Sequence, residues 1–222
     1  MDKKVTALLL SLRDKGESDR TARLLTADEG VISVTFRGVR KAKARLRYAA
    51  QPFSLCEYEL GGKDGNYVVT GATPIEDLYG LCLSPEPYAC ASIVAEAAEK
   101  SSGAVDSASA FVITLRTLKA ILFREASIGL ITAKYLQKIT SMSGLTTIPP
   151  KKTEYSATPS GVLDRIAYLK LDELGSLDVD ENLVFRAVKL MKDRFNSVFL
   201  CELRSFGFYS SVCAGDGRIK KI

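Results

Sequence analysis

The hydropathic period of this chain changes once, and the change falls between Pro74 and Pro87. Before it, short apolar or β-branched runs are separated by turn signals, the pattern of a small barrel or sandwich. Val5 to Leu12 predicts a first strand, Arg20 to Thr26 a second and Val31 to Phe36 a third; Phe53 to Leu60 and Asn66 to Thr70 flank a Gly61 to Gly65 turn as a hairpin does. After the change, alanine-rich segments with helical spacing predict helices over Tyr88 to Ser101, Ala108 to Arg124 and Ile128 to Met142, the last stopped at Gly144. Helical pattern resumes near Ser160. A strong helix follows, with Asp178 and Glu181 read as its capping box and Val184, Val188, Met191, Phe195 and Phe199 as its core stripe. The reading is an α+β chain: an N-terminal five-stranded β-barrel over residues 1–80 and an all-α domain over 81–222. Five short strands is the count of an OB-fold, although pattern alone does not separate that fold from an SH3-like barrel.

Charge is distributed very unevenly over this frame. Val34 to Phe53 holds six cations, Arg37, Arg40, Lys41, Lys43, Arg45 and Arg47, and no carboxylate lies between Glu29 and Glu57. Of the 31 basic residues six lie here, leaving 25 against all 26 acidic residues, so the net charge of +5 is local to one stretch. A local cationic run beside strands fits a polyanion, with nucleic acid the commonest partner, although such runs are also ordinary solvated surface. Gly38 lets the backbone turn at the strand end or approach a ligand closely.

Several chemistries lack their residues. There is no histidine, which removes the usual general base and metal ligand. No P-loop, dinucleotide-binding glycine motif or nucleophile elbow occurs. The carboxylates at Asp172, Glu173, Asp178, Asp180 and Glu181 sit where they complement a helix start rather than form a two-metal nuclease site. Five scattered cysteines without a C-x-x-C pair predict buried thiols, neither a disulfide framework nor a zinc site. The eight-residue apolar run behind Lys3 and Lys4 is too short and too quickly followed by Arg13 for a signal peptide, and no apolar run has the length of a membrane span, so a cytosolic location is expected. No catalytic residue, metal or cofactor is predicted.

The residues of the first half nevertheless have a familiar order. Glu17 in a turn, Thr26 to Gly30 as T-x-x-x-G, Gly38 to Lys41 as G-x-R followed by a cation, and Leu46 to Phe53 ending in Q-P-F resemble the N-terminal domain of the bacterial recombination mediator RecO family. The likeness is looser over the helical half, where it rests on Tyr135, Ser143-Gly144-Leu145 and the Phe199 to Phe206 segment. The resemblance implies an N-terminal OB-fold and a helical domain, a protein located with the nucleoid, and binding of single- and double-stranded DNA without sequence preference. It further implies strand annealing, work with RecR and sometimes RecF, and help for RecA in replacing single-stranded-DNA-binding protein. Many relatives carry a four-cysteine zinc site after the third helix; Thr146 to Pro159 contains no cysteine, so a metal-free member with a plain loop is expected.

Two sets of site residues follow. The six cations from Arg37 to Arg47 are the candidates for phosphate, with Phe36, Phe53, Tyr58 and Tyr67 as conceivable base-stacking rings that strand alternation turns mostly inward. Arg116, Lys119, Arg124 and Lys134 are candidates for the acidic tail of single-stranded-DNA-binding protein, Lys134 lying near where the family receives it. The alternative from another class is an interaction adaptor whose basic surface docks an acidic protein tail. Lys220 and Lys221 in the tail are further cations of open role.

Overall fold

The structure, a computed structural model, describes residues 3–62, 65–145 and 155–213. Five strands, β1 (Lys3–Lys15), β2 (Asp19–Thr26), β3 (Gly30–Phe36), β4 (Leu55–Gly61) and β5 (Tyr67–Glu76), close into one barrel in the order β1-β2-β3-β5-β4. β1 pairs antiparallel with both β2 and β4, and the barrel shuts through two parallel pairs, Val34 with Tyr67 and Thr35 with Val68. This is the five-stranded OB-fold barrel.

The strands alternate where only one face is covered. In β3 the buried positions are Gly30, Ile32, Val34 and Phe36. β1 departs from alternation because Ala7, Leu8, Leu9 and Leu10 are all buried, so a continuous apolar run replaces the half-and-half pattern. Ala7 and Leu9 enter the barrel interior with Leu24, Val34, Phe36, Tyr58 and Leu60, whereas Leu8 and Leu10 join a second core shared with the helices. A register shift between Leu9 and Ser11 marks the bulge at which β1 bends. There the Leu9 N–H donates to the Ser54 carbonyl at 2.9 Å and the Leu9 carbonyl accepts from Phe53 at 3.1 Å.

The helical part comprises α1 (Pro85–Lys100), α2 (Ser107–Phe123), α3 (Ile128–Met142), α4 (Pro159–Ile166), α5 (Glu181–Phe199) and α6 (Ser205–Cys213). Their starts are chemically marked. Prolines occupy the first turns of α1 and α4, and Asp106 and Thr158 accept from the Ser109 and Gly161 amides at 2.9 and 3.1 Å. For α5 the cap is Asp180, which accepts from the Asn182 and Leu183 amides at 3.0 and 3.2 Å. This corrects the expected Asp178 and Glu181 box: Glu181 is already the first helical residue, so the side chain that reaches the free amides is the one immediately before it. Val184, Val188, Met191 and Phe195 are buried and Phe199 is half-buried, the stripe its spacing predicts. Gly144 follows α3 at φ +72°, a backbone that suits a helix stop.

α6 has no counterpart among the helices expected from sequence, and its cap is remote. Glu96 on α1 accepts from the amides of Arg204 and Ser205 at 3.1 and 2.8 Å and from the Ser205 hydroxyl at 2.6 Å. Helices and barrel meet through Ser11, which donates to Glu99 at 2.8 Å, the Arg23 to Glu99 ion pair at 3.7 Å, and the edge-on rings of Phe53 and Tyr88. Cys56 and Cys90 are buried, while Cys82, Cys201 and Cys213 are half-buried rather than fully enclosed. Burial pushes all five thiols upward, Cys90 to about 12, so none is poised as a thiolate. No described helix is long and apolar enough to cross a membrane. Residues 146–154 of the loop expected in place of a zinc site, and Lys220 and Lys221, lie outside the described residues.

Candidate nucleic-acid interface

The connection from β3 to β4 is built so that its cations cannot turn inward. Val39, Ala49 and Ala50 are buried in the barrel core and Leu46 packs beside them, which fixes the loop at both ends and its middle. Arg40, Lys41, Lys43, Arg45 and Arg47 occupy positions between these anchors and Arg37 stands just before the first, and all six are exposed. Between the anchors the chain advances by turns: Lys41 donates to the Gly38 carbonyl and Ala44 to the Lys41 carbonyl, each at 3.1 Å. The Tyr58 hydroxyl, inside the barrel, donates to the Ala49 carbonyl at 3.0 Å and ties the loop to β4.

Gly38 begins the loop at φ +64°, a conformation costly for any side chain with a Cβ. Its amide donates to Asp19 Oδ1 at 2.8 Å, and the Arg40 amide donates to the Ser18 carbonyl at 2.9 Å, so the loop is pinned to the β1–β2 turn. The Gly38 amide, then the Ser18 hydroxyl at 3.0 Å, hold the Asp19 carboxyl below the ordinary range. Gly38 thus serves geometry first, and the strand end turns because of it.

The structure ranks the six cations, which their spacing alone does not. Arg40 donates to the Gly16 carbonyl at 2.9 Å and faces Asp14 at 3.4 Å, and Arg47 donates to the Lys41 carbonyl at 3.1 Å, so these two also hold the loop. Arg37, Lys41, Lys43 and Arg45 make no ion pair or side-chain hydrogen bond among the described residues. Arg37 additionally lines a polar recess of about 420 Å³ with Lys15, Asp19, Thr21, Ser33, Thr35, Asn66 and Tyr67. That recess lies on β2 and β3 and against the β4–β5 turn, the region by which OB-folds commonly hold oligonucleotides. Lys15, Thr21, Thr35 and Asn66 were missed from sequence because they are far apart along the chain; the signal available was the outward, polar half of the β2 and β3 alternation.

The four rings considered for stacking are mostly spoken for. Phe36 and Tyr58 are buried and meet edge-on at 6.1 Å inside the barrel. Phe53 is buried on the helix side at φ +65°, and β4 accordingly starts at Leu55 rather than at Phe53. Tyr67 is half-buried, with the Lys3 ammonium 5.9 Å from its ring centre.

The second set of cations is not brought together as one group. Arg116 on α2 and Lys134 on α3 share a recess of about 300 Å³ with Lys138, Lys170, Ile113 and Leu169. Lys119 instead pairs with Glu76 at 2.9 Å, and Arg124, in left-handed conformation at the end of α2, pairs with Glu86 at 3.9 Å. Along α2 these three cations are three and five residues apart, and the helix turns Lys119 toward β5. Lys134 donates to the carbonyls of Ile166 and Ala167 at 2.7 and 3.0 Å, closing the C-terminal end of α4. Burial first, and then the neighbouring Lys138 charge, lower its ammonium to about 8. The Gln137 side chain also lines this recess: its amide nitrogen donates to the Leu163 carbonyl at 2.9 Å, and its buried oxygen has no partner among the described residues. Lys138 and Lys170 were not singled out in the sequence, although Lys134 and Lys138 stand one helical turn apart.

A barrel of this topology carrying an exposed cationic loop defines a class of oligonucleotide-binding-fold proteins. Residues 1–77 match the family model described as Recombination protein O N terminal. The chain is 35% identical over 96 residues to the DNA repair protein RecO of Heliobacterium modesticaldum, an alignment covering 43% of this chain and 35% of that protein. It is 40% identical over 63 residues to the protein of the same description in Anaeromyxobacter sp. strain K (28% and 25% covered), and 25% identical over 129 residues to that in Rubrobacter xylanophilus (58% and 52% covered). Over its N-terminal residues the chain is thus similar to the RecO family. The chain spans less than two thirds of the length of these relatives.

Proposed function

We propose that this chain is a non-catalytic DNA-binding mediator of recombination and repair that holds single and double strands by their phosphates without reading sequence. The observation that carries the reading is the anchored loop from Arg37 to Arg47, whose six cations are all exposed while Val39 is buried in the barrel core and Leu46 packs against it. Phosphate contacts position nucleic acid but carry no sequence information, and they release counterions that return at higher salt. Such a surface screens two polyanions without locking either, which is what annealing of complementary strands requires. In this reading residues 1–80 hold DNA and residues 81–222 serve partners, with RecR, RecF, RecA and single-stranded-DNA-binding protein as the candidates drawn from the family.

Anisotropy titrations of labelled strands across a salt series test it. Six phosphate contacts give a slope of log affinity against log salt of about −4 for single strands and about −5 for duplex. A slope near zero, or cleavage of the DNA on adding magnesium or manganese, rejects the reading. A pull-down with RecR and single-stranded DNA at two salt concentrations tests the partner.

The recess between α2 and α3 favours a second, compatible role as receiver of an acidic protein tail, since cations stand around an apolar floor. Arg116→Glu is expected to weaken binding of an acidic tail peptide about tenfold, the value of one close charge pair lost and one repulsion gained. Lys134 is a harder site to vary because it also closes α4. Its charge disappears as pH rises through about 8, so peptide affinity is expected to fall between neutral pH and pH 9. Calorimetry showing unchanged affinity for Arg116→Glu removes this recess from the proposal.

A further inference from the structure

The barrel has another recess, of about 380 Å³, where the cationic loop ends. Its walls include Tyr48, from the 3-10 turn Tyr48–Ala50, and Tyr79, from the 3-10 turn Tyr79–Cys82 that follows β5. Phe36, Phe53, Tyr58, Tyr135 and Phe195 are each 2% exposed or less, whereas Tyr48 is 45% and Tyr79 53% exposed. The Tyr48 ring is held by its own hydroxyl, and the backbone that carries Tyr79 is fixed at its amide. The Tyr48 hydroxyl donates to the Ala72 carbonyl, and the Tyr79 amide donates to Asp77 Oδ1 at 2.7 Å.

The recess is continuous with the basic loop, because Tyr48 follows Arg47 directly and the Gln51 side-chain amide donates to the Arg47 carbonyl at 3.2 Å. Its charges differ from those of the loop, although Glu76 is paired with Lys119 at 2.9 Å. Cations stand along the approach, whereas the lining carries Gln51, Glu76 and Asp77. The Asp77 carboxylate turns phosphate away, but it and the Gln51 amide match the amino and ring groups on base edges. A phosphate chain therefore stays on the loop while an uncharged ring enters.

We propose that this recess receives one unpaired base of a single DNA strand, its ring against Tyr48 and Tyr79 and its edge toward Gln51 and Asp77, with the adjoining phosphate on Arg45. The proposal rests on the DNA-binding reading of the loop and adds what that reading lacks, a means of distinguishing single strands from duplex. A paired base has its faces stacked and its edge occupied, so it cannot enter without being turned out of the helix. Phosphate contacts alone do not tell an unpaired base from a paired one.

The test uses the full chain with three labelled probes: a thymidine strand, the same strand carrying abasic sites throughout, and a hairpin duplex. Tyr79→Ala is expected to weaken the thymidine strand about tenfold, as loss of a stacked base does in single-strand binders, and to leave the abasic strand and the duplex within about twofold. Tyr79→Phe, which keeps the ring, is expected to restore binding. Tyr79 is more than half exposed, so the variant is expected to keep its melting temperature. An equal loss on all three probes overturns the base recess, as does no loss on any, which leaves a protein ligand as the occupant of these rings. If the unsubstituted chain binds none of the probes at low salt, the DNA reading falls and the recess proposal with it. If it binds them with the expected salt slope while Tyr79→Ala changes nothing, only the recess proposal falls.

Discussion

Replacing Arg37, Lys41, Lys43 and Arg45 together by Glu is expected to reduce the affinity for both single- and double-stranded DNA at least about a hundredfold at moderate salt, with the circular-dichroism spectrum unchanged. These four are chosen over Arg40 and Arg47 because they make no ion pair or side-chain hydrogen bond among the described residues, so their charge is available to phosphate. The substitutions move the net charge by eight, from +5 to −3, and place the change on one loop. With a screening length of about 10 Å at 0.1 M salt, the reversed charges act on any phosphate that approaches the loop. Exposed substitutions of this kind ordinarily shift stability by about 0.5 kcal/mol or less, so lost binding with intact fold is readable as lost contact. The equivalent change at Arg40 is a poorer probe, since a carboxylate there faces Asp14 and surrenders the bond to the Gly16 carbonyl. Affinity within twofold of the parent chain removes the loop from the DNA reading.

Phe36→Ala carries the largest expected cost in stability, about 3–5 kcal/mol, because a fully buried aromatic ring is removed from a close-packed barrel and a cavity remains. Phe36 closes the interior against Tyr58 and stands opposite Arg20 in the β2 ladder, at the last position before the cationic loop. Against a total stability of about 5–15 kcal/mol the change is a large fraction, and urea unfolding should show a lower midpoint with an unchanged slope. A cost below about 1 kcal/mol contradicts the packing described. Because Phe36 precedes Arg37 directly, the variant also loosens the end of β3 that presents the loop, and weaker DNA binding with a partly folded population is expected to accompany it.

The existence of the five strands and the first three helices was legible because their hydropathic periods are strong, although β1 runs on to Lys15 rather than Leu12 and β5 to Glu76 rather than Thr70, where polar residues and Pro74 hide the ladder. α3 runs from Ile128 to Met142, the span its pattern predicts, and β2 and β3 each differ by one residue from their apolar runs. α6 was not legible: it is nine residues long, contains Gly207, and takes its N-terminal cap from Glu96 on another helix. A cap contributed from more than a hundred residues away leaves no local signature. Asp178 and Asp180 are likewise indistinguishable as caps until the chain's entry into α5 is known.

The candidate interface divides in the same way. That Arg37 to Arg47 form one cationic run, with no carboxylate nearby to neutralise it, is a property of the sequence alone. Local order also determined that the run follows a strand and that Gly38 turns it. Tertiary structure decided which cations stay unpaired, because Asp14, Gly16 and Asp19 reach the loop only once β1 and β2 are paired beside it. It also decided that Lys119 leaves the company of Arg116 for Glu76, and that Tyr48 and Tyr79 stay open while Phe36, Phe53 and Tyr58 are enclosed. Periodicity acts between neighbours in the chain, whereas barrel closure brings β3 against β5 across more than thirty residues, and the recesses around the loop exist only after that closure.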